Sequence, residues 1–109
     1  MTLLFCFGTR PEWLKIKPII QKLQRNQYKL LFTGQHQDLI DDVVVDHTIT
    51  PHHTTSVTRL DQVVSDCIMQ FPAGDFDGVV VQGDTASTFG CALAAYHRKL
   101  PLLYVEAGL

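Results

Sequence analysis

Asp84 and Glu106 each stand just beyond an apolar run, in "VVVQGDT" and "LLYVEAGL", and Arg10 follows a third such run in "LLFCFGTRPE". A carboxylate at the rim of a sheet is a candidate for proton transfer, because burial or a second carboxylate nearby could raise its pKa. Glu106 fits that description and has no evident structural duty. Asp84 has one: between a glycine and "TAST" it is a good helix N-cap, and on the local pattern capping is the stronger reading. Arg10 offers different chemistry. Thr9 with Glu12 three residues on forms a T-x-x-E capping box, which sets a guanidinium beside backbone N–H groups at a helix start. Such a corner suits a phosphate. The glycine-rich fingerprint of dinucleotide sites is absent, and an arginine in a first helical turn can equally be solvated.

These residues act together only if the chain gathers their strand ends. Residues 3–7 form a continuous apolar run bounded by Gly8, as in a strand buried on both faces. Residues 10–25 carry Trp13, Leu14, Ile16, Ile19, Ile20 and Leu23 on roughly one side at helical spacing, with Pro18 expected to kink the helix. A second strand is expected over 28–34, a short helix over 36–45, and a loop over 46–56 with a third short strand at 48–50. The clearest helix runs from Val57 to Phe71, with Thr55 or Ser56 as N-cap. A strand over 78–83, a helix over 85–97 and a strand over 101–105 complete the order. Apolar strands that each feed a helix predict an α/β fold, a doubly wound parallel sheet with strand order 3-2-1-4-5. In such a sheet ligands bind beyond the carboxyl ends of the strands, where strand order reverses. Arg10, Asp84 and Glu106 are then neighbours on one rim.

Composition narrows the ligand. The chain has 109 residues, 46% hydrophobic and 18% charged, with a formal net charge of −2, so one domain is expected. No run of Lys and Arg marks a nucleic-acid or anionic-membrane surface, which leaves a small molecule as the expected partner. The N-terminal apolar run is too short for a signal h-region or a membrane span. Cys6, Cys67 and Cys91 are odd in number, widely spaced and set in apolar stretches, as expected of buried thiols in a reduced cytoplasmic protein. Asp46, His47, His52 and His53 cluster in one loop, but their spacing matches no zinc motif.

Three segments, "FGTRPEWLKIKP", "TGQH" and "VVVQGDTASTFGCALAAYHRKLPLLYVEAGL", resemble the N-terminal part of the non-hydrolysing UDP-N-acetylglucosamine 2-epimerases. The likeness runs the length of the chain and is weakest over 46–75. It implies a Rossmann-like domain of the glycosyltransferase-B type, with the active site in a cleft between two such domains. It also implies elimination of UDP from UDP-GlcNAc to give a 2-acetamidoglucal, then re-addition of UDP with inverted C2, yielding UDP-ManNAc. By this resemblance Asp84 and Glu106 match the family's catalytic carboxylates, which reverses the local preference for capping at Asp84. Arg10 and Lys15 match basic residues near the substrate, although a lysine at that helical position is otherwise an ordinary solvated one. Gln35 and His36 match part of a regulatory UDP-GlcNAc site, while Gln37 and Asp38 depart from the usual Arg then Glu or Gln. The resemblance implies no metal and no nicotinamide cofactor.

The family continues beyond "VEAGL" with a further acidic residue, the rest of this domain and a second domain. Residues 1–109 are therefore expected to be an incomplete N-terminal domain, about half of the first cleft wall, inactive alone, with UDP-GlcNAc or UDP as the expected ligand. A C-terminal partner chain or a homo-oligomer would complete it. The last strand should expose apolar surface. The alternative is a noncatalytic remnant that binds a nucleotide sugar or associates with itself.

Overall fold

The computed structural model describes residues 1–35, 43–51 and 59–106. Five strands, β1 (Leu3–Phe7), β2 (Tyr28–Phe32), β3 (His47–Thr48), β4 (Gly78–Gln82) and β5 (Leu102–Val105), form one sheet in the order β3-β2-β1-β4-β5. Every pairing is parallel. Three helices accompany them: α1 (Arg10–Ile20), α2 (Arg59–Met69) and α3 (Ala86–His97).

Strand alternation distributes the core between two faces. Phe5 and Phe7 point toward α1, where Trp13, Ile16 and Ile20 meet them along with Leu30 and Val80. Leu4 and Cys6 point the other way, into a layer built with Val63 and Cys67 of α2 and Cys91, Ala94 and Ala95 of α3. Helices thus cover both faces, as the uninterrupted apolar strands require. Aromatic contacts tighten the α1 side: the Phe7 ring lies 5.0 Å from Trp13 and 5.6 Å from Phe32. Small residues tighten the other side, where Gly90 lets α3 approach the Cys67 side chain of α2.

The three cysteines are buried free thiols that meet between the sheet and these helices. The Cys91 thiol beside it, and then burial, push Cys67 up; Cys91 is pushed up by its contact with Cys6 and by burial. None of them presents a reactive thiolate to solvent.

Several boundaries differ from the sequence pattern. α1 stops at Ile20 instead of running to Arg25. Pro18 removes the bond to the Leu14 carbonyl, and the following N–H groups fold into tight turns, Lys22 to Ile19 at 3.1 Å and Leu23 to Ile20 at 3.0 Å. Leu23 still packs on the α1-side core, which is why its spacing looked helical. β2 ends at Phe32, and Gly34 turns the chain with φ +75. β3 is shorter and one residue earlier than expected, although the Ile49 N–H still reaches the Phe32 carbonyl at 2.9 Å. The expected helix at 36–45 lies mostly outside the described residues, and its last three positions, 43–45, are irregular. The expected cap of α2 at Thr55 or Ser56 also lies outside them. α3 ends where Lys99 takes φ 57 and the Leu100 N–H returns to the Ala95 carbonyl at 2.9 Å.

At the amino end of β3, Asp46 fastens that strand to β2. Its carboxylate accepts from the Leu30 N–H at 2.8 Å and from Arg25 at 2.7 Å. Burial pushes this carboxyl up, but the Leu30 N–H, Arg25 and the Lys29 charge together hold it below its ordinary value of 3.8. A depressed folded pKa contributes stability that is present above the ordinary value and lost as pH falls through the folded one. Denaturant midpoints should therefore fall at the acid end, and Asp46→Asn should lower stability at neutral pH while flattening that acid limb.

Candidate functional site

Because all five strands run the same way, their carboxyl ends share one rim. Val105 pairs with Gln82, so Glu106 leaves β5 beside the Gly83–Asp84 turn that leaves β4. β1 neighbours β4 on its other side and delivers Gly8, Thr9 and Arg10 to the same edge. Gly83 adopts φ +87, a conformation that lets the chain turn sharply toward α3, and its carbonyl accepts from the Tyr104 hydroxyl at 3.0 Å.

A cleft of about 260 Å³ opens between the first two turns of α1 and the start of α3. Thr9, Glu12 and Lys15 line it from one side and Gln82, Asp84 and Thr85 from the other. Its volume falls below the ~300–1,000 Å³ of ordinary ligand pockets.

Two of the residues singled out in the sequence, Lys15 and Asp84, line this cleft. Arg10 is exposed at the start of α1 and Glu106 is exposed at the end of β5; neither lines it. Glu106 therefore lacks the burial that the sequence allowed for, because β5 is the edge strand. None of the four makes a side-chain hydrogen bond or ion pair among the described residues. Gln35 is committed differently. It is buried, and its Oε1 accepts from the Ser87 N–H at 3.1 Å and from the Ser87 hydroxyl. His36 lies outside the described residues.

Two local readings change. Thr85, not Asp84, is the N-cap of α3: its hydroxyl accepts the Thr88 N–H at 3.3 Å, which leaves the Asp84 carboxylate without capping duty. The capping box at α1 forms as expected, with the Glu12 N–H on Thr9 Oγ1 at 3.4 Å and the Thr9 N–H on Glu12 Oε1 at 3.2 Å. Yet Glu12 also takes the Gly8 N–H at 2.8 Å. The Gly8 and Thr9 N–H groups at the corner expected to suit a phosphate are thus taken by a carboxylate of the protein, and the Arg10 side chain is exposed.

The floor of the rim is closely built. Thr33 and Ser87 share a hydrogen bond at 2.7 Å beneath Gly8, and a Cβ at Gly8 would overlap both hydroxyl oxygens. Gly8→Ala should cost about 1–3 kcal/mol through that overlap, read as a lower denaturant midpoint with an unchanged m-value.

Among the described residues no group of three or more His, Cys, Asp or Glu is arranged to hold a metal ion. His47 packs edge-on against Phe76, with ring centroids 6.1 Å apart, and Asp46 is engaged as described; His52 and His53 lie outside the described residues. No described helix is long and apolar enough to cross a membrane.

The family model described as UDP-N-acetylglucosamine 2-epimerase matches residues 20–109. The chain belongs to this epimerase family. Relatives called UDP-N-acetylglucosamine 2-epimerase from Salmonella typhimurium and Neisseria meningitidis are 32% and 33% identical to it, each over 120 residues. Each alignment covers 100% of this chain and 32% of the relative. The Methanocaldococcus jannaschii UDP-GlcNAc 2-epimerase, solved in complex with UDP-GlcNAc and UDP, superposes with a TM-score of 0.78 at 27% identity. That superposition covers 100% of this chain and 33% of the other. The chain therefore spans about a third of the length of the epimerases it matches, as an N-terminal portion with their Rossmann-like, glycosyltransferase-B-type architecture. The sequence pattern undervalued Glu12, Thr85 and Tyr104, which bind the rim together; the T-x-x-E and the repeated threonines of "TAST" were their only local signals.

Proposed function

We propose that these residues form part of one wall of a nucleotide-sugar site and contribute acid–base groups to the non-hydrolysing epimerisation of UDP-GlcNAc to UDP-ManNAc, an isomerase reaction. The observation that carries this reading is the rim itself. Asp84 and Glu106, unengaged by other side chains among the described residues, leave neighbouring parallel strands at the same end, and Lys15 lines a cleft opposite Asp84. The chemistry asks for such a set. A carboxylate takes the C2 proton while the C1–O bond to UDP breaks, giving a glucal. UDP oxygen then re-forms the C1 bond as a carboxylic acid returns a proton to the opposite face of C2. Lys15, with Arg10 nearby on α1, offers positive charge to the diphosphate as it departs. No cofactor is assigned a step.

On this reading residues 1–109 are a portion of an N-terminal domain, and the opposite wall comes from a further segment or a partner chain. The cytoplasm, where nucleotide sugars are made, is the fitting compartment for an enzyme with buried free thiols. A self-associating, noncatalytic role is the second reading, favoured by the exposed Leu102, Leu103 and Tyr104 of the edge strand. Joining the 109 residues to the remaining two thirds of the Salmonella typhimurium relative separates the two. Proton NMR of UDP-GlcNAc incubated with that fused protein should show UDP-ManNAc forming; no turnover by a folded fusion overturns the epimerase reading.

A further inference from the structure

Glu12 is 3% exposed, and its two carboxylate oxygens serve different strand ends. Oε1 accepts the Gly8 and Thr9 N–H groups of the β1–α1 turn. Oε2 accepts the Thr85 hydroxyl and, at 3.2 Å, the Thr88 hydroxyl, both in the first turn of α3. A capping box needs only the local half of this arrangement. The other half joins residues 73 positions apart in sequence. The Thr85 hydroxyl caps α3 with a lone pair and holds Glu12 with its proton. On the other side of Asp84, a Cβ at Gly83 would lie 3.7 Å from both Cγ and Oε2 of Glu12. Both neighbours of Asp84 therefore lie against one carboxylate. Gly83 extends the bracing to β5 through its bond from Tyr104, two residues before Glu106.

We propose that Glu12 is a positioning residue that fixes the Asp84 turn against α1, setting the Asp84 carboxylate in its working place relative to Lys15. This role rests on the proposed acid–base function of Asp84. Lys15 lies on the same helix as Glu12, so the bridge sets the spacing of the two sides of the cleft directly.

The test uses the full chain joined to the remainder of the Salmonella typhimurium relative. Glu12→Gln keeps the shape and lets its carbonyl oxygen retain the Gly8 and Thr9 N–H groups, so the chain can still fold, but its amide nitrogen donates where Oε2 accepted, and the Thr85 and Thr88 hydroxyl protons lose that acceptor. Its kcat should fall about 10²-fold with KM unchanged, the scale of loss from a misplacement of about 1 Å. Because Glu12 acts through Asp84, adding Asp84→Asn to Glu12→Gln should lower kcat no further than Asp84→Asn alone. If Glu12→Gln does not fold, Glu12→Asp serves: it keeps the charge at the start of α1 and falls one methylene short of Thr85, with the same expected loss and the same non-additivity. An active fused protein in which the variant leaves kcat unchanged, or in which the two losses multiply, overturns the role of Glu12 alone. A folded wild-type fusion without turnover overturns the epimerase reading and this role with it.

Discussion

Purified by itself, the 109-residue chain is expected to convert no detectable UDP-GlcNAc to UDP-ManNAc. Its cleft is about 260 Å³ and has charged groups from α1 on one side and from the β4–α3 turn on the other. Both belong to one wall of the site proposed above. Elimination and re-addition require the glucal and UDP to be held in place between two steps, and positioning of that kind supplies up to roughly 7–11 kcal/mol in well-oriented systems. Two exposed carboxylates and two lysine- and arginine-borne charges do not replace it. Proton NMR of the chain with UDP-GlcNAc decides the matter: turnover that disappears in Asp84→Asn would show that these residues suffice for catalysis.

In the fused protein, Asp84→Asn and Glu106→Gln should each reduce kcat by about 10²–10⁴-fold, the range for loss of a general acid or base. Their structure explains why the loss should be kinetic. Both carboxylates are exposed and neither holds a side chain among the described residues, so thermal midpoints should stay close to wild type. Thr85 carries the capping duty that would otherwise have confounded Asp84→Asn. Variants that keep full kcat would remove these two residues from the chemistry, and variants that lose kcat together with their melting transition would give them a structural role instead.

The strands were legible because a parallel strand buried on both faces needs a continuous apolar run, as in "LLFCF" and "VVVQ", and their order follows from the alternation with helices. Helix ends were less so. Leu23 continues the helical spacing beyond Pro18, but the pattern does not distinguish a helical residue from one that reaches the same core through a turn. At the start of α3 two capping types, Asp84 and Thr85, stand side by side, and sequence alone favours the wrong one. Glu12 illustrates the deeper limit. Its bond to Thr9 is local and readable as a capping box, while its bond to Thr85 depends on β1 and β4 becoming neighbours. Through its local bonds the same carboxylate also takes the Gly8 and Thr9 N–H groups at the corner where a phosphate was expected.

The position of β1 has a consequence for the birth of the chain. β1 is made before the other four strands, can pair with β2 soon afterwards, and meets its other partner only when β4 arrives, with Leu3 against Gly78 and Phe5 against Val80. The entropic cost of closing so long a loop is modest, rising by about 0.6 kcal/mol for each doubling of length. The delay is the greater burden: at about 5–20 residues made per second, several seconds pass with an apolar strand edge unpaired. The topology that sets the Glu12 and Asp84 turns side by side thereby leaves this strand edge open to mispairing until β4 has left the ribosome.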